Sequence, residues 1–214
     1  MKKYTAEFIG TFSMVFCGTG AIVINETTNG AVTHIGIAIT FGLIVMAMIF
    51  SLGKISGSHI NPAVTIAFAV AKKFPVKEVM PYIVSQLAGA FSASLVLKFL
   101  FPENLFLGST LPAGSEMQSF ILEIILTFIL MFVIFMVSHG SNEQGIMAGI
   151  AIGSIVMLEA MFAGPITGAS MNPARSMAPA LVSGHLEHLW IYISAPVAGS
   201  LLAVTICKYL NVPH

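Results

Sequence analysis

The tripeptide Asn-Pro-Ala occurs twice, at Asn61-Pro62-Ala63 and at Asn172-Pro173-Ala174. Proline at the first helical position loses no hydrogen bond and presets the helical φ, so each tripeptide predicts a helix start. Each Asn can cap its own helix through its side-chain oxygen, which leaves its amide hydrogens to point into the space beyond. A helix N-terminus carries partial positive charge, and two such ends brought face to face repel cations. A water between them would accept hydrogen bonds from both asparagines. Its own hydrogens would then point outward, and a chain of hopping protons would be broken there. The chemistry implied is selective passage.

The residues leading into each tripeptide extend this reading. Ser56-Gly57-Ser58-His59-Ile60 precedes the first, and Thr167-Gly168-Ala169-Ser170-Met171 precedes the second. Their glycines suit a turning, extended backbone. Irregular backbone at membrane depth is tolerated only when buried in protein or lining a wet cavity. Residues around Gly57, Ser58, His59, Gly168 and Ser170 are therefore expected to expose a ladder of carbonyl acceptors along a narrow pore, with His59 adding a polar lining. Arg175, the only arginine in the chain, falls in the first turn after the second tripeptide. It serves either as a donor at a constriction that also rejects cations, or as a snorkelling or paired side chain. Val64, its counterpart after the first tripeptide, is apolar and favours the former.

Two further acids, Glu7 and Glu123, lie within apolar runs at matching positions. They are expected to be structural, accepting hydrogen bonds from loop backbone, because neither has a nearby His or Asp with which to relay protons. Glu159 either braces the loop 164–172 or acts at the pore mouth. Cys17 and Cys207 sit in apolar runs without metal-ligand spacing, and no disulfide is expected. The six histidines are scattered, no nucleophile–base pair is evident, and no metal or cofactor is implied. An intramembrane enzyme is therefore disfavoured.

The composition shows what must position these groups. Of 214 residues, 57% are hydrophobic and 8% charged, against about 25% charged in a soluble domain. The nine acids are all Glu and balance nine basic residues, which gives no basis for nucleic-acid binding. Met1-Lys2-Lys3 resembles the start of a signal peptide, but the apolar run after it is long and no cleavage site closes it, so a retained span is expected. Spans are predicted at 5–25, 34–53, 79–100, 118–138, 145–163 and 188–208. The stretches 62–71 and 173–182 would reach only about 15 Å as helix, half of a roughly 30 Å hydrocarbon core.

The chain also repeats. Glu7, Thr11, Phe12 and Phe16 match Glu123, Thr127, Phe128 and Phe132 at equal spacing. Gly42 matches Gly153, and Asn61 matches Asn172, both at an offset of 111. The expected organisation is two inverted repeats, 1–110 and 111–214, each with three spans and one half-span. Lys2, Lys3, Lys54, Lys72, Lys73, Lys77 and Lys208 fall on one side, which places both termini in the cytoplasm by the positive-inside rule. The fold class expected is an all-α membrane protein of six transmembrane helices and two re-entrant half-helices.

Ala6-Glu7-Phe8 with Gly10-Thr11, the run Ser56 to Thr65, and Asn172-Pro173-Ala174-Arg175-Ser176 together resemble the aquaporin (major intrinsic protein) family over essentially the whole chain. The resemblance implies a homotetramer in the plasma (inner) membrane, one pore per subunit, and single-file permeation. It also implies a four-residue filter, which falls on Phe41, Ala160, Ala169 and Arg175. Water-selective members usually carry His at the position of Ala160, and glycerol facilitators usually pair two aromatics with a small residue; this chain does neither. The region from Phe162 to Ser176 is similar to plant nodulin-26-like channels and their bacterial relatives. The expected permeants are water with glycerol, urea, ammonia or undissociated metalloid acids. A strictly water-selective pore and a secondary transporter stand as the alternatives.

Overall fold

The computed structural model describes residues 1–138 and 142–210. They form eight α-helices: α1 (Lys2–Thr27), α2 (Thr33–Ser56), α3 (Pro62–Val70), α4 (Val76–Leu100), α5 (Glu116–Ser138), α6 (Asn142–Thr167), α7 (Pro173–Ser183) and α8 (Leu189–Tyr209). Six of them, all but α3 and α7, are long and apolar enough to cross a membrane. Exposed Ile35, Leu43, Val84 and Phe99 fit a lipid-facing surface. Among the described residues there is no β-strand. The expected second repeat, 111–214, ends on residues 211–214, which lie outside the described residues.

Packing follows the same pattern in the two halves. Helix α1 packs on α2 and α4 as α5 packs on α6 and α8, and α2 packs on α6 between the halves. Glycine marks the close approaches. A Cβ on Gly89 would stand 2.3 Å from the Phe8 carbonyl oxygen, and one on Gly199 would stand 2.3 Å from that of Ile124. Backbone meets backbone at both contacts. At the α2–α6 seam the contact is reciprocal: a Cβ on Gly42 would meet Gly153 O at 2.6 Å, and one on Gly153 would meet Gly42 O at 2.7 Å.

Two helix ends follow from identifiable residues. Gly57 (φ 84°) and Gly184 (φ 87°) terminate α2 and α7 in the left-handed conformation that glycine adopts without a Cβ penalty. Helix α6 continues to Thr167, four residues past the predicted 163, and passes through Pro165. Proline at 165 cannot donate to the carbonyl four residues before it, Met161. The His34 imidazole takes that place, with Nε2 2.6 Å from Met161 O. Gly164 leaves room for the ring, because a Cβ there would lie 2.9 Å from His34 Cε1.

The half-helices α3 and α7 each touch helices of both halves, α3 packing on α4 and α8 and α7 on α8 and α4. They also contact each other at their N-termini, where the two asparagines stand.

Candidate functional site

The segments entering the half-helices share one unusual backbone path. Gly57, Ser58 and Ile60 have φ of 84°, 48° and 43°; Gly168, Ala169 and Met171 have 83°, 42° and 54°. The left-handed region costs a non-glycine residue about 1–3 kcal/mol, most of all a β-branched one such as Ile60. Such a path persists only if its surroundings hold it.

Two buried carboxylates hold it. Glu7 on α1 accepts from His59 N (2.9 Å), Ile60 N (2.7 Å) and Gln86 Nε2 (2.7 Å). Glu123 on α5 accepts from Thr167 Oγ1 (2.7 Å), Ser170 N (2.8 Å) and Met171 N (2.8 Å). Both side chains are fully buried. Backbone N–H groups drawn toward a carboxylate behind the loop leave the opposite side of each peptide facing forward. Among the described residues, the carbonyls of 57–59 and 168–170 accept no hydrogen bond, whereas Ser56 O is taken by Tyr82 Oη at 2.9 Å.

Both asparagines have extended backbones and cap their helices. Asn61 Oδ1 accepts from Ala63 N at 2.9 Å, and Asn172 Oδ1 from Ala174 N at 3.0 Å and Arg175 N at 3.4 Å. Their amide groups differ from the sequence expectation. Asn61 Nδ2 donates to Met171 O (2.8 Å), and Asn172 Nδ2 donates to Ile60 O (2.9 Å). Each asparagine thus bonds the carbonyl immediately before the other and locks the two half-helices end to end. One hydrogen of each amide is consumed in this clasp. The Asn172 amide also faces the Met14 thioether, Nδ2 to Sδ 3.6 Å. The space between the helix ends therefore receives fewer amide hydrogens than the sequence predicts.

A cavity of about 800 Å³ runs past these ends. Asn61, Asn172, Phe41, Ala160, Ala169 and Arg175 all line it, as do Gly57, Ser58, His59 and Ser170. The remaining tripeptide residues Pro62, Ala63, Pro173 and Ala174 are buried in the first turns of α3 and α7 and are not among its lining. Gly168 also stands outside the lining: a Cβ there would meet Thr110 Cγ2 at 2.9 Å, so this residue faces the loop between α4 and α5. His59 packs its ring against Phe68 and Phe74 (centroids 4.9 and 4.8 Å) and bonds Thr65 Oγ1 through Nδ1 at 3.1 Å.

Arg175 is 2% exposed. Nη1 donates to Gly108 O at 2.7 Å, Nε has no protein partner, and Cζ lies 5.2 Å from the centre of the Phe41 ring. Among the described residues no carboxylate is within ion-pair distance of it. Thr110 Oγ1 to Ser176 Oγ (2.7 Å) ties the Gly108 loop to α7 and so steadies the guanidinium's acceptor. Glu159, one residue before Ala160, is buried with neither oxygen hydrogen-bonded, so it does not brace the loop 164–172 by a hydrogen bond. Met14, Gly108 and Gln86 are parts of the site that the sequence did not single out, since a methionine, a loop glycine and a glutamine carry no pattern of their own. Among the described residues no group of three His, Cys or Glu side chains could hold a metal ion.

Two clasped half-helix starts and a buried guanidinium without an ion pair line one cavity inside a six-span bundle. The sequence model of the major intrinsic proteins matches residues 1–207. This chain belongs to the major intrinsic protein family. Family members similar to it include the aquaporin NIP1-1 of Oryza sativa subsp. japonica, 45% identical over 217 residues, covering all of this chain and 76% of that protein. Nodulin-26 of Glycine max is 45% identical over 218 residues, covering all of this chain and 80% of its own length. The X-ray structure of the aquaglyceroporin from Plasmodium falciparum superposes with a TM-score of 0.88 at 26% identity, over 99% of each chain. Like the rest of this family, the chain is a multi-pass membrane protein and not an enzyme.

Proposed function

We propose that this major intrinsic protein is a passive channel for water and small uncharged solutes, with glycerol, urea and undissociated metalloid acids as candidates, and that it excludes protons and ions. The observation that carries this reading is that Phe41, Ala160, Ala169 and Arg175 line the same cavity as both asparagines. One aromatic and two alanines leave a wide, largely apolar wall, and Arg175 supplies charge and donors to the other. The free carbonyls of 57–59, 169 and 170 offer acceptors along the passage, while the positive helix ends at its centre oppose a continuous proton chain. The names of similar proteins, aquaporins and an aquaglyceroporin, agree with this solute range.

The assembly is a homotetramer with one pore per subunit, in the plasma (inner) membrane. Seven lysines on one side support cytoplasmic termini. Two inverted repeats, 1–110 and 111–214, account for the matched acids, loops and glycine contacts. Stopped-flow light scattering on proteoliposomes tests the function. Unsaturated fluxes of water, glycerol and boric acid with low activation energy are expected. Water flux alone would reassign the chain as a strict water channel, and saturable ion-coupled uptake would make it a transporter.

A further inference from the structure

Gly18 lies in the interior of α1, where glycine is less favourable than alanine because it loses more backbone freedom on folding. Something must benefit from the missing side chain. A Cβ built on Gly18 would stand 2.1 Å from Cε1 of Phe41 and 2.5 Å from both Cδ1 and Cζ. All three of the nearest atoms belong to that one ring. Phe41 therefore lies flat on the bare backbone of α1, closer than any residue with a side chain at 18 would permit.

The position of Gly18 along α1 strengthens the point. Gly10, Met14 and Gly18 are four residues apart and so share one face of the helix. Each meets a residue that lines the cavity: Ile60 Cγ2 for a Cβ on Gly10 (2.6 Å), the Asn172 amide for Met14 (3.6 Å), and the Phe41 ring for Gly18. The Phe41 ring also lies against the Arg175 guanidinium, Cζ 5.2 Å from the ring centre, and both line the cavity. Moving Cε1 from 2.1 Å out to an ordinary contact of 3.4 Å displaces the ring by about 1.3 Å, and that displacement is directed away from α1. The guanidinium is anchored to Gly108 O, so the ring yields into the passage.

We infer that Gly18 is a specificity-determining residue: by seating Phe41 against the α1 backbone, it sets the width of the passage at the Phe41–Arg175 constriction. Any side chain at 18 narrows it, and solutes broader than water lose most. This rests on the proposed role of Phe41 in the filter. A single methylene in a fitted site discriminates by about tenfold or more, which sets the size of effect to look for.

The test compares Gly18→Ala, Phe41→Ala and the double variant in proteoliposomes, reading the glycerol-to-water permeability ratio. Gly18→Ala is expected to lower the ratio by about tenfold, Phe41→Ala to raise it, and the double variant to match Phe41→Ala because the clash is gone. If Phe41→Ala changes nothing, the filter role of Phe41 fails. If Phe41→Ala acts but Gly18→Ala leaves the ratio unchanged, or the double variant keeps the Gly18→Ala deficit, the inference about Gly18 fails while the filter reading stands. Should Gly18→Ala not yield folded protein, recovery of folding in the double variant, seen by gel filtration, supports the seat. Failure of the double variant to fold overturns it.

Discussion

Replacing Arg175 with alanine is the perturbation whose consequence follows most directly from the geometry. The guanidinium is 2% exposed, lines the cavity and has no carboxylate within ion-pair distance among the described residues, so its charge acts on whatever passes. A monovalent cation level with it at about 5 Å meets a repulsion of about 3 kcal/mol at an effective dielectric constant of about 20. The two half-helix ends, each equivalent to about half a charge, oppose it by a similar amount at similar distance. Removing Arg175 deletes the first barrier and leaves the second. Potassium permeability should rise about a hundredfold in Arg175→Ala, since about 1.4 kcal/mol is a factor of ten, yet stay far below that of water. Arg175→Lys separates charge from shape, because lysine keeps the cation but loses the planar fork that bonds Gly108 O and covers Phe41. It should remain cation-tight. The assay is potassium flux into proteoliposomes loaded with a potassium-sensitive dye, beside water flux by stopped flow. An unchanged leak in Arg175→Ala, or an equal leak in both variants, would refute the electrostatic account.

Ala160→His should lower glycerol flux relative to water by about tenfold or more, by adding a polar ring to a wall now made of alanine. An unchanged ratio in the same stopped-flow comparison would remove Ala160 from the filter. Glu123→Ala orphans the buried N–H groups of Ser170 and Met171, at about 1–3 kcal/mol each, and frees a strained loop. Thermal unfolding followed by circular dichroism in detergent should show a marked loss of stability, and wild-type behaviour would count against the carboxylate as the loop's support. Gly199→Ala would push a methyl against the Ile124 carbonyl and separate α5 from α8, costing about 1–3 kcal/mol. Gly53→Ala, with nothing within 4 Å, should instead leave thermal stability unchanged or raised; similar losses in both would argue against close packing as the reason for Gly199.

Much of the architecture is legible because it is written in local or repeated signals. Hydropathy depends on windows of about 20 residues, and the six spans fall within a few residues of their predicted positions. Helix α6 ran long because His34, 127 residues away from Met161 in sequence, replaces the hydrogen bond that Pro165 cannot make. Local signals contain no trace of such a partner. Asn-Pro-Ala predicts a capped helix start from three consecutive residues, and both starts are found there. The spacing of Glu7 and Glu123 within the repeat marked them as a pair before any partner was known.

What the sequence determined by itself, then, was the inventory: six spans, two half-helices, their asparagine caps, two buried acids and one arginine. Each follows from composition, periodicity or an offset between the halves. Only the tertiary structure decided where the polar atoms point. It turned an amide hydrogen of each asparagine onto the carbonyl before the other, left Glu159 without a hydrogen bond, set Met14 beside Asn172, and laid Phe41 on Gly18 under Arg175. Those contacts join residues from 23 to 158 positions apart. They depend on helix rotation and approach to within an ångström, and many sequences with the same apolar pattern would place these atoms differently.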